Sequence, residues 1–239
     1  MELHVSLPLE ALRPTYDAHP SLFRLRDEAR ERLGQHGFDA GHDLAHADRV
    51  SLWTMRLLGD QGSAEEAVSA ALLHDVVNLP KDHPERAMAS VRSADVARAL
   101  LPACGFRDAS TTRVAEAIED HSYSRGAVPR SALGCALQDA DRLETLGAIG
   151  LMRVFSTGAR LGARYFDPDD PWSERREPDD LRYSIDHFRT KLLRLEHTMQ
   201  TPAGAKEARR RTARLEHFLA DLADELGVTG PAWADGRLR

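Results

Sequence analysis

The sequence predicts an all-α fold, a single-domain helical bundle closed by a C-terminal helical hairpin. Three observations carry that expectation. Apolar residues recur at helical spacing almost from end to end. Capping residues and glycines punctuate the segments. No convincing alternating strand, and no Asn-Gly or Asp-Gly hairpin between strand-like runs, is found. The expected layout is an N-terminal extension over 1–20 and a domain over 21–227, with its core at 38–165 and the hairpin at 179–227. A tail follows over 228–239, mobile from Gly230 onward.

The elements follow in chain order. Leu22, Leu25, Ala29 and Leu33 share one helix face, with Arg26, Asp27, Arg30 and Glu31 mostly on the other, and Gly34 and Gly37 stop the helix. A second helix starts near His42 with the stripe His46, Val50, Trp53 and Leu57, and Gly59 and Gly62 close it. Ser63 and Glu66 form a capping box for the third, whose inward face reads Ala67, Ala70, Ala71 and His74. A fourth helix caps on Asp82, tolerates Pro84 in its first turn, completes a second box with Glu85 and runs to about Leu101. Val114, Ile118 and His121 are in register on a fifth, which ends near His121. Ser131 opens a sixth with Leu133, Leu137 and Asp141 on one side. Gly147 to Gly162 reads as a helix weakened by glycines, followed by a polar loop from Asp167 to Asp180 with Pro168, Pro171 and Pro178. Two long helices finish the chain, one with Ile185, Phe188, Leu192, Leu195 and Met199, the other with Ala208, Leu215, Leu219, Leu222 and Leu226. Their junction at Thr201-Pro202 makes them an antiparallel hairpin.

Composition excludes several classes of function. Lys plus Arg total 32 against 38 Asp plus Glu, a formal charge of −6, which argues against duplex nucleic acid as the main partner. A chain that is 42% hydrophobic and 29% charged is ordinary globular material. No apolar run approaches the roughly 20 residues that span a bilayer, and Met1 to Pro14 lacks the basic start and apolar core of a signal peptide. The two cysteines, Cys104 and Cys135, supply neither a disulfide framework nor a thiolate zinc site, and they fit a reducing cytoplasm. Eleven histidines against four tyrosines turn attention to metals and phosphates.

Three helices place a metal-type side chain on an otherwise apolar face: His46, His74-Asp75 and Asp141. A charged aspartate on a core-facing stripe is costly unless compensated, and one divalent cation would compensate both. Two imidazole nitrogens and two carboxylates leave open positions on a six-coordinate ion, and mixed ligation of this kind suits manganese, iron, cobalt, nickel or zinc better than magnesium. Periodicity alone leaves a metal site and a set of ordinary buried polar residues both open.

The motifs carry a resemblance. His46 to Val50 in the form H-x-x-R-V, then Ala70-Ala71-Leu72-Leu73-His74-Asp75-Val76, then Gln138-Asp139-Ala140-Asp141-Arg142-Leu143, resemble the HD-domain metal-dependent phosphohydrolases. Gly41-His42-Asp43, Lys81 to Arg86, Asp120 to Ser124, Gln138 to Gly150, Phe166 to Pro171 and Asp186 to Leu192 extend the likeness over about residues 20 to 227. They are similar to a stand-alone bacterial branch of that superfamily. The resemblance implies an HD-type helical fold with His46, His74, Asp75 and Asp141 as ligands of a divalent ion, manganese favoured. It implies cleavage of a nucleoside triphosphate to monophosphate and pyrophosphate by a metal-activated water. Alarmone hydrolases of the superfamily place a Glu-Asp dyad soon after the His-Asp pair, where this chain has Asn78-Leu79. That difference argues against guanosine tetraphosphate, or moves the acid/base task to Lys81, Asp82 or His83.

Phosphoryl transfer rests on positioning and charge stabilisation, so cations are expected at the rim. Arg49, three residues past His46, is the first phosphate clamp, with Lys81 and Arg86 beside the next helix start; a solvated surface charge is the competing role for each. Lys81, His83 and His121 are the acid/base candidates, the histidines alternatively being caps, hydrogen-bond partners or ligands of a second metal. His42 lies one turn before His46, either orienting the site or on the surface. Asp139 or Glu144 could orient a ligand imidazole. Arg209, Arg210, Arg211 and Arg214 read as a solvated face, and the leucines of the last helix as core or a homodimer seam. Trp172 and Tyr165 flank the polar loop, which lies over a base or simply packs. The rival functions are a phosphomonoesterase or cyclic-nucleotide phosphodiesterase, a non-catalytic nucleotide sensor, and a dinuclear iron oxygenase that would recruit His83 or His121. The expected partner in all the hydrolase readings is a small phosphorylated metabolite, with neither membrane nor duplex nucleic acid involved.

Overall fold

The computed structural model describes residues 7–34, 41–79, 83–122 and 125–234. Among them lie ten α-helices, short 3-10 segments and a single isolated β-bridge. The chain packs as two compact units, Met1–Asp141 and Arg142–Arg239, a division that falls inside the stretch 21–227 read from the sequence as one domain. No helix among the described residues is long and apolar enough to cross a membrane.

The first unit contains α1 (Leu7–Ala18), α2 (Ser21–Gly34), α3 (Leu44–Leu58), α4 (Ala64–Leu73), α5 (Ala89–Ala103), α6 (Asp108–Asp120) and most of α7 (Ala132–Leu143). Its centre is α4, buried continuously from Glu66 to Leu73. A helix apolar on all sides has to be surrounded, and α4 packs against α2, α3, α5 and α6. The small side chains of Ala67, Ala70 and Ala71, all fully buried, let those neighbours approach closely. Ser63 caps α4 by accepting the Glu66 N–H at 3.4 Å. The other half of the expected box is diverted, because the Glu66 carboxylate takes Arg113 of α6 instead.

Three local expectations change. The stretch 1–20 contains a helix, α1, whose Leu12 and Tyr16 are fully buried. Pro14 inside it hides the pattern. Arg26, expected on a polar face, is buried and holds Asp48 of α3 through two hydrogen bonds of 3.0 and 2.6 Å. The helix after the His-Asp pair begins at Ala89, preceded by a 3-10 turn at Arg86–Met88. Pro84 sits in the turn, and the His83 Nδ1 accepts the Glu85 N–H at 3.1 Å. The Glu85 carboxylate pairs with Arg92 at 2.6 Å rather than folding back on a cap. The cap expected at Asp82 lies outside the described residues.

The second unit holds α8 (Gly147–Leu161), α9 (Asp186–Thr190), a 3-10 segment (Leu192–Thr198) and α10 (Pro202–Leu226). Gly150 is required by packing, since a Cβ there would collide with the Thr145 carbonyl. The first arm of the C-terminal hairpin is not one long helix. It breaks at Lys191 (φ −137°, ψ −58°) into α9 and the 3-10 segment, which packs against α10. Phe188, Leu192, Leu193 and Leu195 are all buried, so two short segments hide the apolar residues that suggested a continuous helix. The tail is anchored as far as Ala234. The Trp172 Nε1 donates to the Thr229 carbonyl and the Trp233 Nε1 to the Trp172 carbonyl, both at 2.8 Å. Trp172 is thereby a packed residue, 5% exposed, rather than a cover for a ligand.

Candidate metal centre

The ends of several helices in the first unit meet at one point. Asp43 caps α3, its carboxylate accepting the His46 N–H at 2.8 Å, and so fixes the turn that presents His46. His74 is the residue that ends α4, and its Nδ1–H donates to the Ala71 carbonyl at 2.7 Å. Such a bond satisfies a carbonyl left open at a helix end and directs the bare Nε2 forward. His121 ends α6 in the same way, with its Nδ1–H on the Ile118 carbonyl at 2.6 Å. Asp141 comes from the last turn of α7. Helix C-termini carry partial negative charge, which favours a cation between them.

Four groups converge. One ligand atom each from His46, His74, Asp75 and Asp141 lies within 4.8 Å of the other three. The Nε2 atoms of His46 and His74 are 3.3 Å apart. The Asp141 Oδ1 is 3.6 Å from His46 Nε2 and 3.8 Å from His74 Nε2, and the Asp75 Oδ2 is 3.5 Å from His74 Nε2. Donors each about 2.1 Å from a shared ion stand about 3 to 4 Å apart, so these spacings fit one cation. Both histidines are buried, while the two carboxylates keep 22% and 24% of their side-chain surface, leaving one side of the cluster open.

The electrostatics agree. Burial acts against a charged His74, yet Asp75 and Asp141 outweigh it and push this imidazole up to about 9. Burial likewise opposes ionisation of Asp75, but His74, His121 and His42 hold its carboxyl well below the usual carboxylate range. Asp141 is depressed too, against its own burial, chiefly by His74. Two carboxylates beside two imidazoles give the cluster negative charge that a cation would neutralise. The donor set therefore fits a divalent ion of the nitrogen- and oxygen-binding kind.

Two more histidines stand beside it. The His121 Nε2 is 3.6 Å from Asp75 Oδ1 and the His42 Nε2 is 3.9 Å from Asp75 Oδ2. The ring centroids of His42 and His46, His46 and His74, and His74 and His121 are 5.8, 5.2 and 5.1 Å apart. His42 faces Asp75, which its one-turn offset from His46 only hinted at. The orienting acceptor of His74 is the Ala71 backbone, and a main-chain acceptor leaves no mark in a side-chain pattern; Glu144 lies 4.0 Å from Arg211.

The remaining candidates stand outside the cluster of four. Arg49 is half-buried on α3, three residues past His46. Arg86 donates to the Leu79 carbonyl, and His83 caps the adjacent turn. Lys81 and Asp82 lie outside the described residues.

Comparison with known proteins gives a consistent result. Residues 43–146 match the HD domain family. The chain is 29% identical over 194 residues to YpgQ of Bacillus subtilis strain 168, covering 78% of this chain and 85% of that protein. A crystal structure of Bacillus subtilis YpgQ in complex with ADP superposes with a TM-score of 0.66 at 23% identity, covering 85% of this chain and 97% of that one, which shows a shared fold. An HD-superfamily hydrolase from Bacillus thuringiensis superposes with a TM-score of 0.65 at 28% identity, covering 88% of this chain and 98% of that one.

Proposed function

We propose that the chain, whose residues 43–146 match the HD domain family, is a divalent-metal-dependent phosphohydrolase that cleaves a nucleoside triphosphate to monophosphate and pyrophosphate in the cytoplasm. The observation that carries this reading is the convergence of His46, His74, Asp75 and Asp141 on one point. A nucleotide as substrate is supported by the ADP complex of the YpgQ relative, and manganese by the mixed imidazole and carboxylate donors.

The residues divide the work by position. His46, His74, Asp75 and Asp141 would hold the ion, which would supply Lewis-acid polarisation of a phosphoryl oxygen and acidify a water. His121, with Nδ1 committed to Ile118, has its Nε2 at the Asp75 edge and would move a proton there. Arg49 would bind a phosphate from α3. His83 and Arg86, around the turn that precedes α5, and Lys81 would serve phosphate contact and proton transfer.

The test is a panel of nucleoside tri-, di- and monophosphates, cyclic nucleotides and p-nitrophenyl phosphate, each with manganese, magnesium, cobalt or nickel. Monophosphate and pyrophosphate in equal amounts are expected. Orthophosphate alone would make the protein a phosphomonoesterase, and opening of a cyclic nucleotide a phosphodiesterase. Equal turnover by wild type and Asp75→Ala would remove the metal-dependent reading.

A further inference from the structure

His121 caps the C-terminus of α6, and the peptide that precedes it is held from another helix. The peptide that joins Asp120 to His121 presents its carbonyl to Gln138 of α7, whose Nε2 donates to it at 3.1 Å. The same Nε2 donates its other hydrogen to the Ala127 carbonyl, also at 3.1 Å. Gln138 is fully buried, and its bond to the Asp120 carbonyl forms away from water. An unmade bond there leaves a buried carbonyl without its partner. The Asp120 side chain is held by Arg130, which donates through Nε at 2.8 Å, Nη2 at 3.1 Å and its backbone N–H at 3.2 Å.

Gln138 lies three residues before Asp141, so the two share one face of α7. The helix that brings Asp141 to the cluster thus also holds the peptide from which His121 springs. We infer that Gln138 is a positioning residue: it sets the distance between the His121 imidazole and the Asp75–Asp141 cluster by pinning the Asp120–His121 peptide to α7. The inference rests on the assignment of proton transfer to His121. A Gln buried merely to satisfy two carbonyls would stabilise the unit and leave the reaction untouched, and the two roles separate by experiment.

The variants are Gln138→Met, which keeps the volume and removes both donors, His121→Ala, and the double variant. Each is assayed in the full chain with manganese and the nucleotide turned over fastest in the panel above, with metal content measured in parallel. Gln138→Met is expected to lower kcat at least tenfold, with KM and metal content within twofold of wild type. In the His121→Ala background the same change should cost less than twofold, because the group it positions is gone. In the metal-free protein the ¹⁵N signals of the His121 ring should report the Nδ1–H tautomer in wild type and a mixture of tautomers in Gln138→Met. An unchanged kcat in Gln138→Met, or an equal loss in both backgrounds, overturns the inference while leaving His121 in place. Wild-type kcat in His121→Ala overturns the role of His121 itself. If Gln138→Met does not fold, Arg130→Met, altered at a largely exposed side chain, takes its place with the same two criteria and an expected threefold loss.

Discussion

His74 is held at both ends of its ring, Nδ1 by the Ala71 carbonyl and Nε2 among His46, Asp75 and Asp141. Replacing it with alanine, or replacing Asp141, removes a ligand while leaving the helices on either side intact. Either change is expected to abolish retention of metal and activity with an unaltered far-ultraviolet circular dichroism spectrum, checked by elemental analysis and turnover. Arg49→Ala should instead raise KM several-fold with kcat nearly unchanged, as expected for a group that binds substrate and transition state alike. Steady-state kinetics with manganese decide it, and unchanged constants remove Arg49 from the site. These four ligand positions were legible because a carboxylate or imidazole on an apolar stripe demands compensation. The Ala71 and Ile118 carbonyls were not, since every residue has a carbonyl and only geometry shows which one meets an imidazole.

The helices that present those residues owe their direction to their ends. Asp43 both caps α3 and fixes the turn of His46. Asp43→Ala is expected to cost about 1 kcal/mol of stability and to weaken manganese binding, while Asp43→Asn keeps most of both; denaturant unfolding and metal titration measure the two effects. The link between α4 and α6 makes a prediction in pH. Burial would raise the Glu66 carboxyl, but hydrogen bonds from Arg113 and Ser110 outweigh it and bring it below its ordinary value. A carboxyl depressed on folding stabilises above its unfolded value, near 4.5, and that contribution is lost as pH falls through the folded value. Arg113→Met should therefore lower stability by about 1 kcal/mol or less at pH 7, Arg113 being half exposed. The gap from wild type should close as pH falls below that unfolded value and through the folded one. Unfolding curves across pH 3 to 7 test it. Helix existence was well marked in the pattern at α2, α3, α4, α6, α7, α8 and α10. The stretch from Ile185 to Met199 reads in the sequence as one helix because its spacing of three and four suits an α-helix and a 3-10 segment about equally well.

The molecule couples a self-sufficient apolar core to a site rich in charge. The first unit buries Leu22, Leu25, Val50, Leu72, Leu73, Ile118 and Leu137 without help from an ion. Chelation is thus expected to stop the reaction without unfolding the protein. Adding manganese at about 100 times its dissociation constant should stabilise by about 2.7 kcal/mol, about 5 to 10 °C in Tm for a chain of this length. His74→Ala should show no such shift in the same calorimetric scan. From residue order alone come the all-helical class, most helix positions and the four prospective ligands, because periodicity and burial cost are local properties that a chain writes out in order. Other features depend on how distant segments pack. These include burial of Arg26 against Asp48, the helix at 7–18, the anchoring of the tail on Trp172, the approach of His42 and His121 to Asp75, and the hold of Gln138 on the Asp120 carbonyl. Each is a pairing between groups far apart along the chain, and no spacing rule connects such groups until the helices have been laid against one another.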